Sequence, residues 1–247
     1  PGKIEINPKL DNILCVSSHV RNALLSSNPG NIELKTLLDN KEKYYAPIIP
    51  SEYIRPADLI SGRDFRRCVF VSGHHRGLSR LIKSWLKIVE KYPDAKLDVY
   101  FGRNTFINYN WPEWSKEEQE WTYKTIEEHD SIRDMGRVSH NELNDVFSHA
   151  GFMLLPSNFP ETLCITAIKA QYFGCIPLVS SCVAREVIYE DIPIVEKENL
   201  EAEYVPMLEK FLEDPTLHHI RNAMSDYVHE RYRSDEATRS IVTDLFC

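Results

Sequence analysis

Glu161 lies in a tight loop, NFPETLC, between the buried run FMLLP (152–156) and the helix-forming run ITAIKAQYF. A carboxylate there accepts hydrogen bonds from neighbouring hydroxyls. The helix amino end beside it offers free N–H groups and a positive dipole end, which suit phosphate. A second group with chemical potential is Arg76, in the turn His74-His75-Arg76-Gly77. A cation at a helix start is unfavourable with the dipole, so an anion is expected to compensate it; the plain alternative is a solvated arginine. For Glu161 the plain alternative is a first-turn acid answering the dipole. Metal-ligand spacing is absent: His74-His75 and His218-His219 are adjacent pairs, not i, i+4 pairs. No metal is expected.

The elements that must position these groups follow from pattern. Phe152 to Ser181 reads strand, loop, amphipathic helix ending at Gly174, strand: a βαβ unit. Upstream, RCVFVSG (67–73) is a short buried strand. In the helix after it Leu78, Leu81, Ile82, Trp85, Ile88, Val89 and Tyr92 recur at helical spacing. KLDVYFG (96–102) is the next strand. An insertion over 104–131 carries Tyr109, Trp111, Trp114 and Trp121 and a helix opened by a capping box, Ser115…Glu118; a second box, Ser139…Glu142, opens ELNDVFSHA. IPIVE (192–196) and helical segments over 201–247, broken at Pro215, complete the pattern. Alternating strands and helices over 67–195 predict an α/β fold with a doubly wound parallel sheet, which binds ligands at the carboxyl ends of its strands. Residues 12–25 read as strand, Ser-rich turn and short helix. The segment 43–60, with Pro47, Pro50 and Pro56, reads as a linker.

Composition bounds the function. The chain has 247 residues, 43% of them hydrophobic, and a formal net charge of −8, which argues against nucleic acid as a bulk electrostatic partner. No apolar run reaches the length of a membrane span. No signal peptide is visible, and the opening PGKIEIN without an initiator Met reads as a segment of a longer, multidomain chain or as a tag remnant with a domain. The six cysteines form no C-x-x-C pair and read as buried free thiols in a reducing, cytoplasmic setting. No G-x-G-x-x-G follows a predicted strand, which disfavours a dinucleotide enzyme.

The run VFVSGHHRGLSRLIKSWLKIVEKYPDAKLDVYFG, then GRVSHNELNDVFSHAGFMLLPSNFPETLCITAIKAQYFGCIPLVSS, resembles the carboxy-terminal, nucleotide-sugar-binding half of GT-B glycosyltransferases, the family-4-like retaining enzymes above all. The likeness covers roughly residues 64–240, and ILCVSSHVRNALL with APIIPSEY resembles the end of the amino-terminal half. It implies a Rossmann-like donor lobe over 61–247 with closing helices, after a truncated lobe or extension over 1–60. It implies metal-independent transfer, with retention, from a nucleoside-diphosphate-sugar (UDP on family frequency, with a hexose or a deoxyhexose such as rhamnose) to a glycan hydroxyl. No cofactor is implied beyond the donor, which is a substrate.

Residue by residue, the resemblance makes Arg76 the stabiliser of the leaving diphosphate and Glu161 the group that contacts the donor sugar. Gly73, His75 and Gly77, with His74, form a turn placed to touch phosphate, although for each histidine an ordinary exposed side chain is the readier reading. Gly102 ends its strand where backbone approaches the ligand, and Arg103 follows. Arg137 and Val138 meet the nucleobase. Thr162, Leu163 and Cys164 offer backbone N–H groups where relatives hold glycines. The second acid of the E-x7-E motif falls at position 169, and here it is Lys169. That lysine donates to ribose or phosphate, points to solvent, or marks a weakened enzyme. Trp111, Trp114 and Trp121 are an acceptor platform or the insertion's own core. The competing reading is a non-catalytic nucleotide-sugar-binding or interaction module.

Overall fold

The computed structural model describes residues 15–39, 46, 48–103, 114–214 and 219–235. Of the strand expected at the start of residues 12–25, the part up to residue 14 lies outside the described residues, as do Trp111 and Pro215, and Cys15 and Val16 are not in a strand. Among the described residues there are six strands: β1 (Asp64–Val71), β2 (Lys96–Tyr100), β3 (Ile132–Gly136), β4 (Ala150–Leu155), β5 (Ile176–Ser180) and β6 (Ile194–Val195). They form one sheet in the order β3-β2-β1-β4-β5-β6, and every pairing is parallel. The chain runs outward from β1 to β3, then returns to the other side of β1 as β4. The order therefore reverses between β1 and β4, and the crevice at that switch point opens at the strands' carboxyl ends.

The strand sequences explain the sheet. All six residues of β4, AGFMLL, and all five of β5, IPLVS, are buried. Strands covered on both faces read as unbroken apolar runs. The covering helices are α3 (Leu78–Lys91), α4 (Lys116–Glu128), α5 (His140–His149), α6 (Ile165–Tyr172), α7 (Leu200–Glu213) and α8 (Ile220–Tyr232). Leu78, Leu81, Ile82, Trp85 and Ile88 of α3 point into the core, and Trp85 donates its indole N–H to Ser131 Oγ at 2.9 Å. Ser139 and Glu142 cap α5 reciprocally, as the box requires. At α4 only half of the expected box forms: Ser115 accepts from the Glu118 amide, whereas the Glu118 carboxylate turns to Lys83.

α6 departs from its amphipathic reading. Ala167 through Tyr172 are all buried, because α5 and α8 pack against the surface that would otherwise face water. Its interior polar group is satisfied: Gln171 donates to Ala167 O and Val187 O and accepts from the Tyr189 amide.

The segment 48–60 is irregular, in keeping with its prolines. It is fastened to the end of α8 by the Ile48 and Ile49 amides, both 2.9 Å from Tyr232 O, and by the Ser234 amide on Ile49 O. Helices α1 (Ser18–Ser27) and α2 (Ile32–Asp39) pack on each other around Cys15, Leu34 and Leu38, a small core apart from the main one. The five described cysteines are buried and free, and Cys247 lies outside the described residues.

At the amino ends of the strands sit two buried arginines. Arg63 donates to Leu59 O (2.8 Å), Phe147 O (2.8 Å), Phe173 O (2.7 Å) and Ala150 O. Arg221 donates to Gly151 O (3.0 Å) and Gly174 O (2.5 Å).

Candidate functional site

A cavity of about 900 Å³ opens at the carboxyl ends of β1, β2 and β3. The turn after β1 contributes Gly73, His75 and Arg76. Tyr100 and Phe101 close the end of β2. Arg137, Val138, Ser139 and His140 come from the turn into α5, and Thr166 from the first turn of α6. Among the described residues no group of three His, Cys, Asp or Glu side chains is placed to hold a metal ion.

The turn after β1 is shaped by Gly77. Its φ is +100°, and a Cβ there would stand 2.6 Å from Pro156 O at the exit of β4. The close approach brings the β1 and β4 turns together. Arg76 Nη1 donates to Glu161 Oε1 at 2.9 Å, and its guanidinium lies 4.4 Å from the Phe159 ring centroid. The anion that a cation at a helix start calls for is thus Glu161, 85 residues further on. The pair is not saturated. Arg76 Nε is buried without a hydrogen-bond partner among the described residues.

Glu161 is only 8% exposed, and its backbone is clamped on both sides. Its amide donates to Cys182 O at 2.9 Å, and its carbonyl lies 3.0 Å from His19 Nδ1 of α1. Ser17 Oγ donates to Thr162 O, and Ser18 holds the Glu186 carboxylate through its amide and hydroxyl. The amino end of α1 therefore sits on the loop that carries Glu161. No residue pattern signals this contact, which joins residues more than 140 apart.

Of the other expected residues, Gly73, His75, Arg137 and Val138 line the cavity. His75 meets Phe159 edge-on at 5.9 Å. Gly102 (φ +77°) brings its backbone to the Arg137 amide: a Cβ would lie 3.3 Å from that nitrogen. Thr162, Leu163 and Cys164 lie in the loop and are not part of the cavity wall. Leu163 and Cys164 are buried, Cys164 adopts φ +48° at the start of α6, and burial pushes its thiol up to about 12. Arg103 also lies off the wall, where it pairs with Glu127 at 2.6 Å and stacks on Tyr123 at 4.5 Å.

Three expectations are corrected. His74 is neither a phosphate contact nor an exposed histidine. It is 1% exposed, bonded to Tyr123 Oη (2.8 Å) and Tyr100 O (3.2 Å), and its burial lowers its pKa to about 4. Trp114 and Trp121, the two described tryptophans of the insertion, do not share one platform or a separate core: Trp114 belongs to the main core against His74, whereas Trp121 is 37% exposed beneath Lys83. Lys169 does not point to solvent. It is 7% exposed, with Nζ 3.5 Å from both Tyr53 Oη and His140 Nδ1 and 5.0 Å from the Tyr53 ring centroid. No carboxylate among the described residues pairs with it.

Sequence reasoning missed Phe101. This non-glycine residue has φ +97°, a strained conformation costing about 1–3 kcal/mol. No residue pattern signals it. His140, Thr166 and Tyr53 were missed because each reads as an ordinary surface residue.

Residues 68–231 match the family model of the glycosyl transferases group 1. No curated protein matches the sequence. Among solved structures, a Staphylococcus aureus TarM variant in complex with fondaparinux, α-GlcNAc-glycerol and UDP superposes with a TM-score of 0.68 at 11% identity, over 95% of this chain and 44% of its own. The pneumococcal O-GlcNAc transferase GtfA, solved with UDP and GlcNAc, gives 0.63 at 16% identity, over 93% and 44%. Anabaena HepE, solved with UDP and glucose, gives 0.65 at 11% identity, over 95% and 62%. The chain thus spans less than two thirds of each of these proteins, and at such identities the likeness is one of fold. The parallel sheet, the cavity at its switch point and a family match over well more than half of the sequence lead to one assignment: the chain belongs to the group 1 glycosyl transferases.

Proposed function

We propose that the chain is the donor-binding part of a glycosyltransferase that moves a hexose or deoxyhexose from a UDP-sugar to a glycan hydroxyl, with retention. One observation carries the reading: the Arg76–Glu161 pair at the switch point, beside a cavity about 900 Å³ in size, with a buried guanidinium N–H left over. The residues divide the work. As the bond from the sugar's anomeric carbon to the diphosphate oxygen breaks, negative charge grows on that oxygen. Arg76, with the amides of the Gly73–Gly77 turn, lies where a fixed positive charge stabilises it, the kind of term that dominates such transfers. Glu161 spends one carboxylate oxygen on Arg76 and keeps the other for sugar hydroxyls. The pairing also holds Arg76 in place before the donor arrives, so little reorganisation accompanies the reaction. The solved structures it superposes on are longer than this chain, which covers 44% of each.

Titration calorimetry with UDP-, GDP- and dTDP-sugars, paired with a transfer and donor-hydrolysis assay, tests the reading. The expected result is binding of a UDP-sugar and, in Glu161→Ala, a loss of transfer of about 100-fold or more with UDP still bound. Absence of binding to every donor overturns the proposal. Binding with neither hydrolysis nor transfer points instead to a nucleotide-sugar-binding module, the reading that a lysine at position 169 favours.

A further inference from the structure

We infer that Glu186 and the amino end of α1 form a clamp that positions the Glu161 carboxylate; the inference rests on the donor-sugar role proposed for Glu161 above. The loop that carries Glu161 is neither strand nor helix, so its course depends on what its peptide groups meet. On one side of the Glu161 Cα, the amide donates to Cys182 O at 2.9 Å, just past the end of β5. On the other side, two successive carbonyls are held by α1. Glu161 O accepts from His19 Nδ1 at 3.0 Å, and Thr162 O accepts from Ser17 Oγ. A carbonyl only accepts, so the first contact requires the proton of His19 to be on Nδ1. With the peptide planes fixed on both sides of one Cα, side-chain rotation alone is left to aim the carboxylate. It is aimed at Arg76, 2.9 Å away.

Glu186 in turn holds α1. One of its carboxylate oxygens accepts from the Ser18 amide and the other from the Ser18 hydroxyl at 2.9 Å. Ser18 is the first residue of α1, where amides lack intrahelical partners and the dipole favours a negative charge. Glu186 therefore caps a helix that begins 168 residues earlier in the chain. Beside it, the Ser17 hydroxyl accepts from the Val20 amide at 3.3 Å while it donates to Thr162 O. The backbone around Glu186 is itself anchored. Its carbonyl accepts from Tyr232 Oη at 3.0 Å and from Tyr227 Oη, both of α8, and Val187 O accepts from Gln171 of α6 at 2.8 Å. The apolar side chains Val20, Leu24 and Leu25 of α1 turn to the small core it shares with α2, so polar bonds place its amino end on the Glu161 loop. Glu186 is thus a positioning residue: anchored on α6 and α8, it acts on Glu161 through α1.

The test compares the unaltered chain with Glu186→Ala and Glu186→Gln, by hydrogen-exchange mass spectrometry and by calorimetric titration with UDP and with UDP-glucose. Glutamine keeps an acceptor for the Ser18 amide and a polar partner for its hydroxyl, so Glu186→Gln should behave as the parent. In Glu186→Ala the amides of residues 161–164 should exchange about tenfold faster, while those of β4 and β5 keep their protection. UDP should bind that variant with unchanged affinity, since its diphosphate meets Arg76 in the other turn. UDP-glucose should bind about tenfold more weakly, because the carboxylate that meets the sugar is no longer held. Unchanged exchange over 161–164 in Glu186→Ala overturns the inference, and so does undiminished affinity for UDP-glucose. Faster exchange that reaches β4 and β5, or an equal loss of affinity for UDP, overturns it too, by making Glu186 a support of the whole fold. If the unaltered chain binds neither ligand, the donor-binding reading falls, and the exchange measurement still decides whether Glu186 holds the loop.

Discussion

Two arginines at the two ends of the sheet, Arg63 and Arg76, are employed in opposite ways. At the amino ends of the strands, Arg63 and Arg221 are buried among backbone carbonyls, and Arg63 alone ties together residues 59, 147, 150 and 173. Nearby, Asp98 at 0% exposure is gripped by Arg67 and Arg133, both at 2.7 Å. At the carboxyl ends, Arg76 keeps an unused donor, and the polar contacts of Lys169 among the described residues are two at 3.5 Å. A buried polar group whose partners are all in the protein contributes to stability; one left under-employed costs stability and is available to a ligand. The contrast separates groups that hold the fold from groups that the fold holds ready.

Arg63→Met presses hardest on this division. It strips charge-assisted bonds from four buried carbonyls, each worth about 1.5–3 kcal/mol in favourable cases, so a loss of about 3 kcal/mol or more is expected. Urea unfolding measures it. Nucleotide affinity of the folded protein should stay the same. A stable Arg63→Met chain with weakened nucleotide binding would erase the distinction between the two ends.

His74 sharpens the boundary, because it sits in the binding turn yet is employed like a residue of the opposite end. Its folded pKa is about 4 against an ordinary 6.5, chiefly because burial disfavours the imidazolium. Between those values the unfolded chain binds the extra proton. Stability should therefore be fully present above pH 6.5 and fall as the pH drops toward 4, by up to about 3 kcal/mol. Unfolding free energies from pH 7 to 4, for the parent and for His74→Gln, isolate the effect, since the carboxylates common to both cancel. Parallel curves would mean that His74 is not held neutral by the fold.

The division also marks what the sequence makes legible. The strands and α3 were readable because buried parallel strands and a helix with one apolar face leave direct patterns in residue order. α6 was misread as amphipathic because its second buried face depends on α5 and α8, which pattern does not report. Glu161 and Arg76 stood out singly by type and by place near helix starts. Their pairing did not, since it depends on how closely Gly77 lets two turns approach. Arg63 reads as one more charged residue, because nothing in its neighbourhood names carbonyls 84 and 110 positions away. The strain at Phe101 is a backbone property with no residue signature.

Lys169 gives the smallest expected effect and the most discriminating one, because its two readouts should move in opposite directions. Lys169 is 7% exposed and faces a phenol and an imidazole, with no carboxylate paired to it among the described residues, and replacing a buried charge so placed by an apolar side chain of similar volume is often stabilising. Lys169→Met keeps the length and apolar stem and removes the charge, so the melting temperature should rise. His140, which lines the cavity, lies 3.5 Å from the same ammonium, so the charge is within reach of an anionic ligand. Losing it should weaken UDP binding by about tenfold, or about 1.4 kcal/mol. Thermal melting and titration of one variant therefore settle which end Lys169 resembles. A lower melting temperature with unchanged affinity would place it with Arg63, as a support of the fold, and the lysine would then have taken over a structural role in a family site that the resemblance gives to an acid.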